Sequence, residues 1–349
     1  MTAIDGAVPE KRQVRSAFAR AAAHYDRYAD LQRRTGEALL ARLGCYENRG
    51  DLVLPTQEPA GGAFLMPSPQ PSPAGRGGLA AAPPAGSWAP FGADTALESL
   101  PLGQICREQI WIYPEGGGQD SPPSEGRGEG NVQVRVLVDV GCGTGFFLPK
   151  LAEKFPDAVP LALDLTEAML YQAGNRLPRG CCVCADAEAL PLADGCADLL
   201  YSNLVLQWCA TLERPLREFA RVLRGGGVAA FSLFGVDTLQ ELRLAWREVD
   251  AYPRVNDFIA VDALLRQVRA AGLTVVDVQQ CRELSTYASV RELMRELKGL
   301  GAHNVLGARP RHLTGKSALA RMESAYVRQM GGGPIRATYE TIGIVVRKP

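Results

Sequence analysis

The sequence predicts an α/β fold with a doubly wound, mostly parallel sheet. Short aliphatic segments alternate with amphipathic segments of helical period from residue 134 onward. A glycine-rich turn at residues 141–145 follows the first aliphatic segment, and an acidic residue, Asp164, ends the second. Parallel strands are buried on both faces and therefore appear as continuous aliphatic runs, and their carboxyl ends meet at one crevice.

The predicted elements alternate along the chain. Seven segments are predicted as strands from their aliphatic character: 134–140, 159–163, 181–185, 197–202, 228–233, 273–278 and 338–346. Six segments are predicted as helices from an apolar face: 147–155, 166–176, 215–223, 239–249, 261–271 and 290–297. The order predicts a seven-stranded sheet with helices on both faces.

The region before the first strand has two different compositions. Residues 11–43 carry apolar side chains at helical spacing, which predicts two short helices. Residues 46–132 hold 15 of the chain's 37 glycines and 13 of its 24 prolines, a composition typical of low-complexity, disordered segments. We interpret them as an insertion, in which the apolar segment 105–113 is either a strand or a docking segment.

Five regions follow from this organisation. Residues 1–45 are predicted as an N-terminal helical cap, 46–132 as the insertion, and 133–235 as the ligand-binding core. Residues 236–330 are expected to supply lid helices, the sixth strand and substrate-binding groups, and 331–349 the final strand.

Composition excludes several classes of protein. The 349 residues are 46% apolar and carry 38 basic and 38 acidic side chains, so no net charge draws the chain to nucleic acid or to a membrane. No apolar run is long enough for a spanning helix, and the first residues do not resemble a signal peptide. We expect a cytoplasmic protein, with a monomer favoured.

The turn after the first strand carries the clearest functional signal. It contains Asp139, Gly141, Gly143 and Gly145, whereas a dinucleotide fingerprint would require glycine where Phe146 stands. This spacing resembles the first motif of class I S-adenosylmethionine-dependent methyltransferases. The resemblance implies a Rossmann-like fold, in which the acid and the glycines meet the amino acid moiety of S-adenosylmethionine.

Polar residues that follow the other strands complete the expected cofactor site. Asp164 lies where a ribose-binding carboxylate belongs, although it could also cap the following helix. Asp186, followed by Ala187, could accept from the adenine amino group or be an ordinary loop carboxylate. Asn203 ends the fourth strand at the crevice and is expected to line the cofactor or methyl site.

Longer segments narrow the resemblance to one family. They are residues 17–26, 29–32, 194–199, 202–209, which contain Ser-Asn-Leu-x-x-Gln-Trp, and 297–302, which read Leu-Lys-Gly-Leu-Gly-Ala. Together they are similar to the malonyl-acyl-carrier protein O-methyltransferase of biotin synthesis. The resemblance implies methyl transfer from S-adenosylmethionine to the free carboxylate of malonyl-acyl-carrier protein, with the carrier protein as partner and no metal.

The same resemblance suggests candidate substrate residues. His24 and Tyr25 are expected on the N-terminal helices as positioning groups, although both could be ordinary cap residues. Gln207 and Trp208 are expected to shape the substrate pocket, with Trp208 equally able to be core. A cation is expected at the malonyl carboxylate or thioester.

That cation is expected in a basic part of the sequence. Lys298, Arg309 and Arg311 are the candidates. Residues 282–328 hold nine basic and four acidic side chains, and residues 11–34 hold seven and two. Two basic segments could steer an acidic carrier protein, or they could be solvated helix faces.

Three other functions remain open. The chain could be another S-adenosylmethionine methyltransferase that acts on a quinone precursor or a small carboxylate, or an assembly or hydroxylating factor that no longer transfers methyl groups. A nicotinamide dehydrogenase is disfavoured by the glycine spacing. The cysteines at 181, 182 and 184 have no second pair at zinc-site distance and are expected to be buried free thiols.

Overall fold

The fold is built on one sheet. The computed structural model describes residues 9–47, 89–90, 110–112, 135–177, 181–302 and 315–349. The strands are β1 (Ala89–Pro90), β2 (Ile110–Ile112), β3 (Arg135–Val140), β4 (Ala158–Asp164), β5 (Cys181–Cys184), β6 (Ala197–Asn203), β7 (Leu223–Phe234), β8 (Thr274–Tyr287) and β9 (Ile335–Arg347). Their order across the sheet is β1-β2-β5-β4-β3-β6-β7-β9-β8.

Seven of these strands form the predicted doubly wound sheet. β5, β4, β3, β6 and β7 are parallel neighbours, and β9 runs antiparallel between β7 and β8. The order reverses beside β3, because β4 lies on one side of it and β6 on the other. The prediction of a mostly parallel, seven-stranded sheet is confirmed, and its switch point lies at the carboxyl end of β3.

Helices cover both faces of the sheet. They are α1 (Lys11–Ala21), α2 (Asp30–Glu47), α3 (Leu148–Lys154), α4 (Glu167–Gly174), α5 (Glu213–Val222), α6 (Gln240–Arg247), α7 (Val261–Ala270), α8 (Val290–Gly299) and α9 (Lys316–Gln329). Helices α2, α3 and α4 pack on one face, and α5 and α7 pack on the other. The two N-terminal helices predicted from apolar spacing are present.

A second core lies beyond the carboxyl ends of the parallel strands. Helices α6, α8 and α9 pack there on the ends of β8 and β9, around buried Trp246, Leu293, Tyr326 and Tyr339. Because β8 and β9 are longer than the parallel strands, they extend past the crevice and carry these helices to one side of it.

Two elements differ from their sequence-based boundaries. The sixth strand was predicted to end at residue 278 but continues as β8 to Tyr287. The second half of β8 is mostly exposed and rich in polar residues, so it lacks the continuous apolar sequence that predicts a buried strand. Helix α9 was not predicted, although Met322, Ala325 and Tyr326 are buried at helical spacing.

Most of the predicted insertion lies outside the described residues. Its two described pieces are strands: β2 pairs antiparallel with β5, and β1 pairs antiparallel with β2. β2 falls within the segment 105–113, for which a strand was one of the two alternatives. Among the described helices, none is long and apolar enough to cross a membrane.

Candidate active site

Two adjoining cavities open at the switch point of the sheet. The larger one, here called the nucleoside cavity, has a volume of about 950 Å³ including its open mouth and is lined by Asp164, Asp186 and Trp208 among others. The smaller, here called the loop cavity, has about 440 Å³ and is lined by Asp139 and residues of the glycine turn. Tyr25, Gln32, Gly141, Gly143 and Asn203 line both. Their shared walls allow one elongated ligand to occupy both cavities.

The three glycines of the turn have different roles. All have positive φ, at 75°, 56° and 77° for Gly141, Gly143 and Gly145. A Cβ on Gly141 would lie 2.3 Å from Cγ2 of Val205, and one on Gly145 would lie 2.7 Å from Cα of Ala173. A Cβ on Gly143 would have no atom within 4 Å. Gly141 and Gly145 therefore allow tight packing, and Gly143 exposes backbone to the cavity.

Asp164 lines the nucleoside cavity, where backbone groups hold its carboxylate. Its carboxylate accepts hydrogen bonds from the N–H of Gly143 at 3.0 Å and from the N–H of Thr166 at 2.8 Å. Burial raises the pKa of Asp164 to about 6, and these two hydrogen bonds oppose the rise. The fixed carboxylate is suited to accept hydrogen bonds from vicinal hydroxyl groups.

Asp139 is the acid of the loop cavity. Its side chain is buried, and no donor from the described residues hydrogen-bonds its carboxylate. Burial, and then the nearby charge of Asp164, raise the pKa of Asp139 to about 8. A buried acid without a protein partner has the electrostatics of a site for a cationic group.

The other end of the nucleoside cavity is closed by α1. Lys11 forms ion pairs with Asp186 and, at 2.8 Å, with Glu188. Asp186 and Ala187 both line the cavity. The ion pairs attach the start of α1 to the loop after β5, so the N-terminal helix lies across the cavity.

Asn203 joins β6 to the N-terminal segment. Its side-chain N–H donates to the carbonyl of Gln32 at 2.8 Å, and its oxygen accepts from the hydroxyl of Ser232 at 2.8 Å. The Oε1 atom of Gln32 is buried and has no hydrogen-bond partner among the described residues. Asn203 therefore fixes Gln32 at the wall that the two cavities share.

The turn between α1 and α2 lies over the glycine loop. Asp26 accepts a hydrogen bond from the hydroxyl of Thr144 at 2.7 Å and forms an ion pair with Arg176. Tyr25 lines both cavities, and burial raises the pKa of its hydroxyl, which therefore keeps its proton at neutral pH. His24 is exposed and lines neither cavity. The structure thus brings Tyr25, but not His24, to the expected site.

Aromatic and apolar residues form the remaining wall. The ring of Trp208 lies edge-on to Phe18 of α1, with centroids 5.3 Å apart. Gln207 donates to the carbonyl of Leu204 at 2.7 Å, and its Oε1 atom has no partner among the described residues. Both residues line the nucleoside cavity, together with Leu300. An apolar wall of this kind excludes water from the cavity.

Comparison with known proteins agrees with this arrangement. A family profile described as "Methyltransferase domain" matches residues 138–231. The chain is 44% identical over 216 residues to the malonyl-acyl-carrier protein O-methyltransferase of Methylococcus capsulatus, covering 61% of this chain and 78% of that protein. The chain belongs to the malonyl-acyl-carrier protein O-methyltransferase family. A second member, from Nitrosospira multiformis, is 38% identical over 226 residues, covering 59% of this chain and 74% of that one.

Solved structures also align with part of this chain. The YcgJ protein of Bacillus subtilis aligns with 16% identity and a TM-score of 0.44, over 62% of this chain and 92% of that chain. The strand order of the seven core strands and the matched methyltransferase domain assign the class I methyltransferase fold to this family member. The fold class predicted from the sequence is confirmed, and the domain implies S-adenosylmethionine as methyl donor.

The expected cations of this family member lie away from the described cavities or outside the described residues. Lys298 is exposed on the last turn of α8, two residues before Leu300 of the cavity wall. Arg309 and Arg311 lie outside the described residues. In the described ranges, no group of three or more histidine, cysteine or acidic side chains could hold a metal ion.

Sequence reasoning missed four polar cavity residues of the N-terminal segment. They are Lys11, Asp26, Gln32 and Arg33. Charged residues at helical spacing are typical of a solvated face, and nothing local marks them as cavity residues. The useful signal was the position of Asp26 and Gln32 within the segments that resemble the family.

Proposed function

We propose that this protein transfers the methyl group of S-adenosylmethionine to the free carboxylate of a malonyl thioester on acyl-carrier protein, an early step of biotin synthesis. The observation that carries the proposal is the 44% identity to the enzyme of Methylococcus capsulatus across 78% of its length. The two cavities support it, because they offer a site for a nucleoside next to a site for an amino acid group.

The residues present fit the methyl donor. Gly143 leaves open space beside the loop backbone, and Asp164 offers fixed acceptors for the ribose hydroxyls. Asp139 offers a buried carboxylate for the α-ammonium group. S-adenosylmethionine supplies an electrophilic methyl group on a sulfonium.

The chain's own residues then have to position the acceptor. A malonyl carboxylate is ionised at neutral pH, so no general base is needed. Tyr25 lies where the two cavities meet, and its protonated hydroxyl can orient a carboxylate oxygen without removing its charge. Trp208 and Leu300 keep water out, which strengthens that orientation.

The exposed rim near Leu300 is the proposed docking surface for the carrier protein. Tyr28 of the N-terminal turn packs on Gly299 at the end of α8, where a Cβ would lie 2.3 Å from the tyrosine ring. The neighbouring Arg27 and Lys298 are exposed and have no ion-pair partner among the described residues. Each precedes one residue of the contact between Tyr28 and Gly299, and cations there would attract an acidic protein.

Other parts of the two basic segments are already neutralised. Arg291 pairs with Glu323 at 2.7 Å, and Arg34 pairs with Glu283 at 3.0 Å. The docking proposal therefore rests on Arg27 and Lys298 and not on the net charge of residues 11–34 and 282–328.

Methyl transfer is tested with purified protein and methyl-labelled S-adenosylmethionine. The acceptors are malonyl-acyl-carrier protein, malonyl-coenzyme A, an aconitate and a quinone precursor. We expect a base-labile methyl ester on the malonyl group and rescue of a biotin-requiring mutant that lacks this methyltransferase. Faster labelling of the aconitate or the quinone precursor would contradict the proposed acceptor. Binding of S-adenosylmethionine without labelling of any acceptor would favour the non-methylating alternative.

Docking is tested with Lys298→Glu and Arg27→Glu. Each should raise KM for malonyl-acyl-carrier protein by about 5- to 10-fold and change KM for malonyl-pantetheine by less than about 2-fold, because only the protein substrate carries the acidic surface. The matched control is Arg269→Glu, an exposed cation at the end of α7. Equal effects of the control and the rim variants on the carrier substrate would refute the docking surface.

A further inference from the structure

The loop cavity contains one cation that the proposed function has not used. Among the described residues that line it, only Arg33 carries a positive charge, and Asp139 is on its wall as well. The other acid on its wall, Asp26, is paired with Arg176. A cavity with one unpaired acid and one base is complementary to a zwitterion. The amino acid end of S-adenosylmethionine is a zwitterion, with an α-ammonium and an α-carboxylate group.

The guanidinium of Arg33 is held in place by its surroundings. One terminal nitrogen donates to the backbone carbonyl of Asp26 at 2.6 Å. The guanidinium carbon lies 4.8 Å from the ring centre of Phe146, a cation–π contact. These contacts orient the planar group beside the cavity, so that ligand binding would not have to order a flexible side chain.

The charge of Arg33 is only partly compensated within the protein. Its carboxylate contacts are long, 3.4 Å to Asp30 and 3.9 Å to Asp26. Asp26 is engaged more closely by Arg176 and by the hydroxyl of Thr144. The Nε atom of Arg33 is buried and has no hydrogen-bond acceptor among the described residues. Arg33 therefore retains donors for another anion.

We propose that Arg33 binds the α-carboxylate of the methyl donor while Asp139 binds its α-ammonium. A guanidinium fork matches a carboxylate in shape and charge. This assignment rests on the donor-binding half of the proposed function and does not depend on the methyl acceptor. It gives Arg33 of α2 a role in selecting the intact amino acid group.

The test compares two donors that differ only in the carboxylate. Dissociation constants for S-adenosylmethionine and for decarboxylated S-adenosylmethionine are measured by calorimetry with the full chain and no acceptor. Arg33→Gln should weaken binding of S-adenosylmethionine by about 10- to 100-fold and binding of the decarboxylated compound by less than about 3-fold, because only the former has a group for Arg33 to bind. Arg33→Lys should give an intermediate loss for S-adenosylmethionine.

The matched control is Arg34→Gln on the same helix, whose cation pairs with Glu283 and lines neither cavity. It should leave both dissociation constants unchanged. Equal weakening of both donors by Arg33→Gln would overturn the proposal, because Arg33 would then act only by holding the turn through Asp26. No change in either constant would also overturn it. Because no acceptor is present, these results are independent of whether malonyl groups are methylated.

Discussion

Replacing Asp139 with asparagine tests whether this buried acid destabilises the ligand-free fold. Its pKa rises from an ordinary 3.8 to about 8 on folding. At a pH between these two pKa values, Asp139 is protonated in the folded chain and ionised in the unfolded chain. The contribution of Asp139 to the free energy of unfolding therefore falls as pH rises from about 4 to about 8.

The size of the effect follows from the pH interval. At a pH between the pKa of the unfolded chain and the pKa of the folded chain, such a group changes the free energy of unfolding by about 1.4 kcal/mol per pH unit. Between pH 5 and pH 7, Asp139 should thus lower the free energy of unfolding by about 2.7 kcal/mol, or about 5–10 °C in melting temperature for a domain of this size. Asparagine does not titrate, so Asp139→Asn does not lose this stability as pH rises. The free energy of unfolding of the variant, minus that of the original protein, should therefore increase by about 2.7 kcal/mol from pH 5 to pH 7.

The assay is thermal unfolding of ligand-free protein at pH 5, 6 and 7, followed by circular dichroism. Asp157→Asn, a change at an exposed acid, is the control and should follow the original protein at each pH. The reasoning would be refuted by parallel curves, in which Asp139→Asn and the original protein differ equally at pH 5 and pH 7. That result would mean that Asp139 ionises in the folded chain as readily as in water.

Three further predictions concern the loop, the turn and the rim. Gly145→Ala should lower the free energy of unfolding by about 2–3 kcal/mol, because its Cβ would meet Ala173. Gly143→Ala should lower it by about 1 kcal/mol and mainly weaken donor binding. Thermal unfolding measures the first effect, and calorimetry of S-adenosylmethionine binding measures the second. Tyr25→Phe should lower kcat about 10-fold at an unchanged melting temperature, since it removes one hydroxyl and no apolar contact, and an unchanged kcat would remove the role of Tyr25. Raising salt from about 50 to about 500 mM should increase KM for malonyl-acyl-carrier protein at least 5-fold more than KM for malonyl-pantetheine, and equal increases would contradict electrostatic docking.

The sheet and the strand-end residues were predictable because their signals are local. Asp139, Asp164, Asp186 and Asn203 each follow or end an aliphatic run, and the carboxyl ends of parallel strands converge by geometry. The structure places all four on the cavity walls. Strand polarity alone brings these residues together.

The contributions of the N-terminal segment could not be predicted in the same way. Lys11, Asp26 and Arg33 are charged residues in helical sequence, where solvent exposure is the usual outcome. Their positions are decided by long-range contacts, such as the ion pair of Lys11 with Asp186. His24 shows the reverse case. It was expected at the site because it precedes Tyr25 in sequence, but its side chain is exposed to solvent.

Residues 48–134 separate two parts of the candidate site in sequence, and the courses of α2 and β3 explain how these parts still lie together. Helix α2 begins beside the cavities, with Gln32 and Arg33 on their walls, and its 18 residues lead away for about 27 Å. Its later residue Leu43 packs with Ala158, at the start of β4 and thus at the opposite end of the sheet. Strand β3 begins at that same end and returns over about 20 Å to Asp139. The end of α2 and the start of β3 therefore both lie on the side away from the cavities, so Gln32 and Asp139 line one cavity although residues 48–134 separate α2 from β3 in sequence.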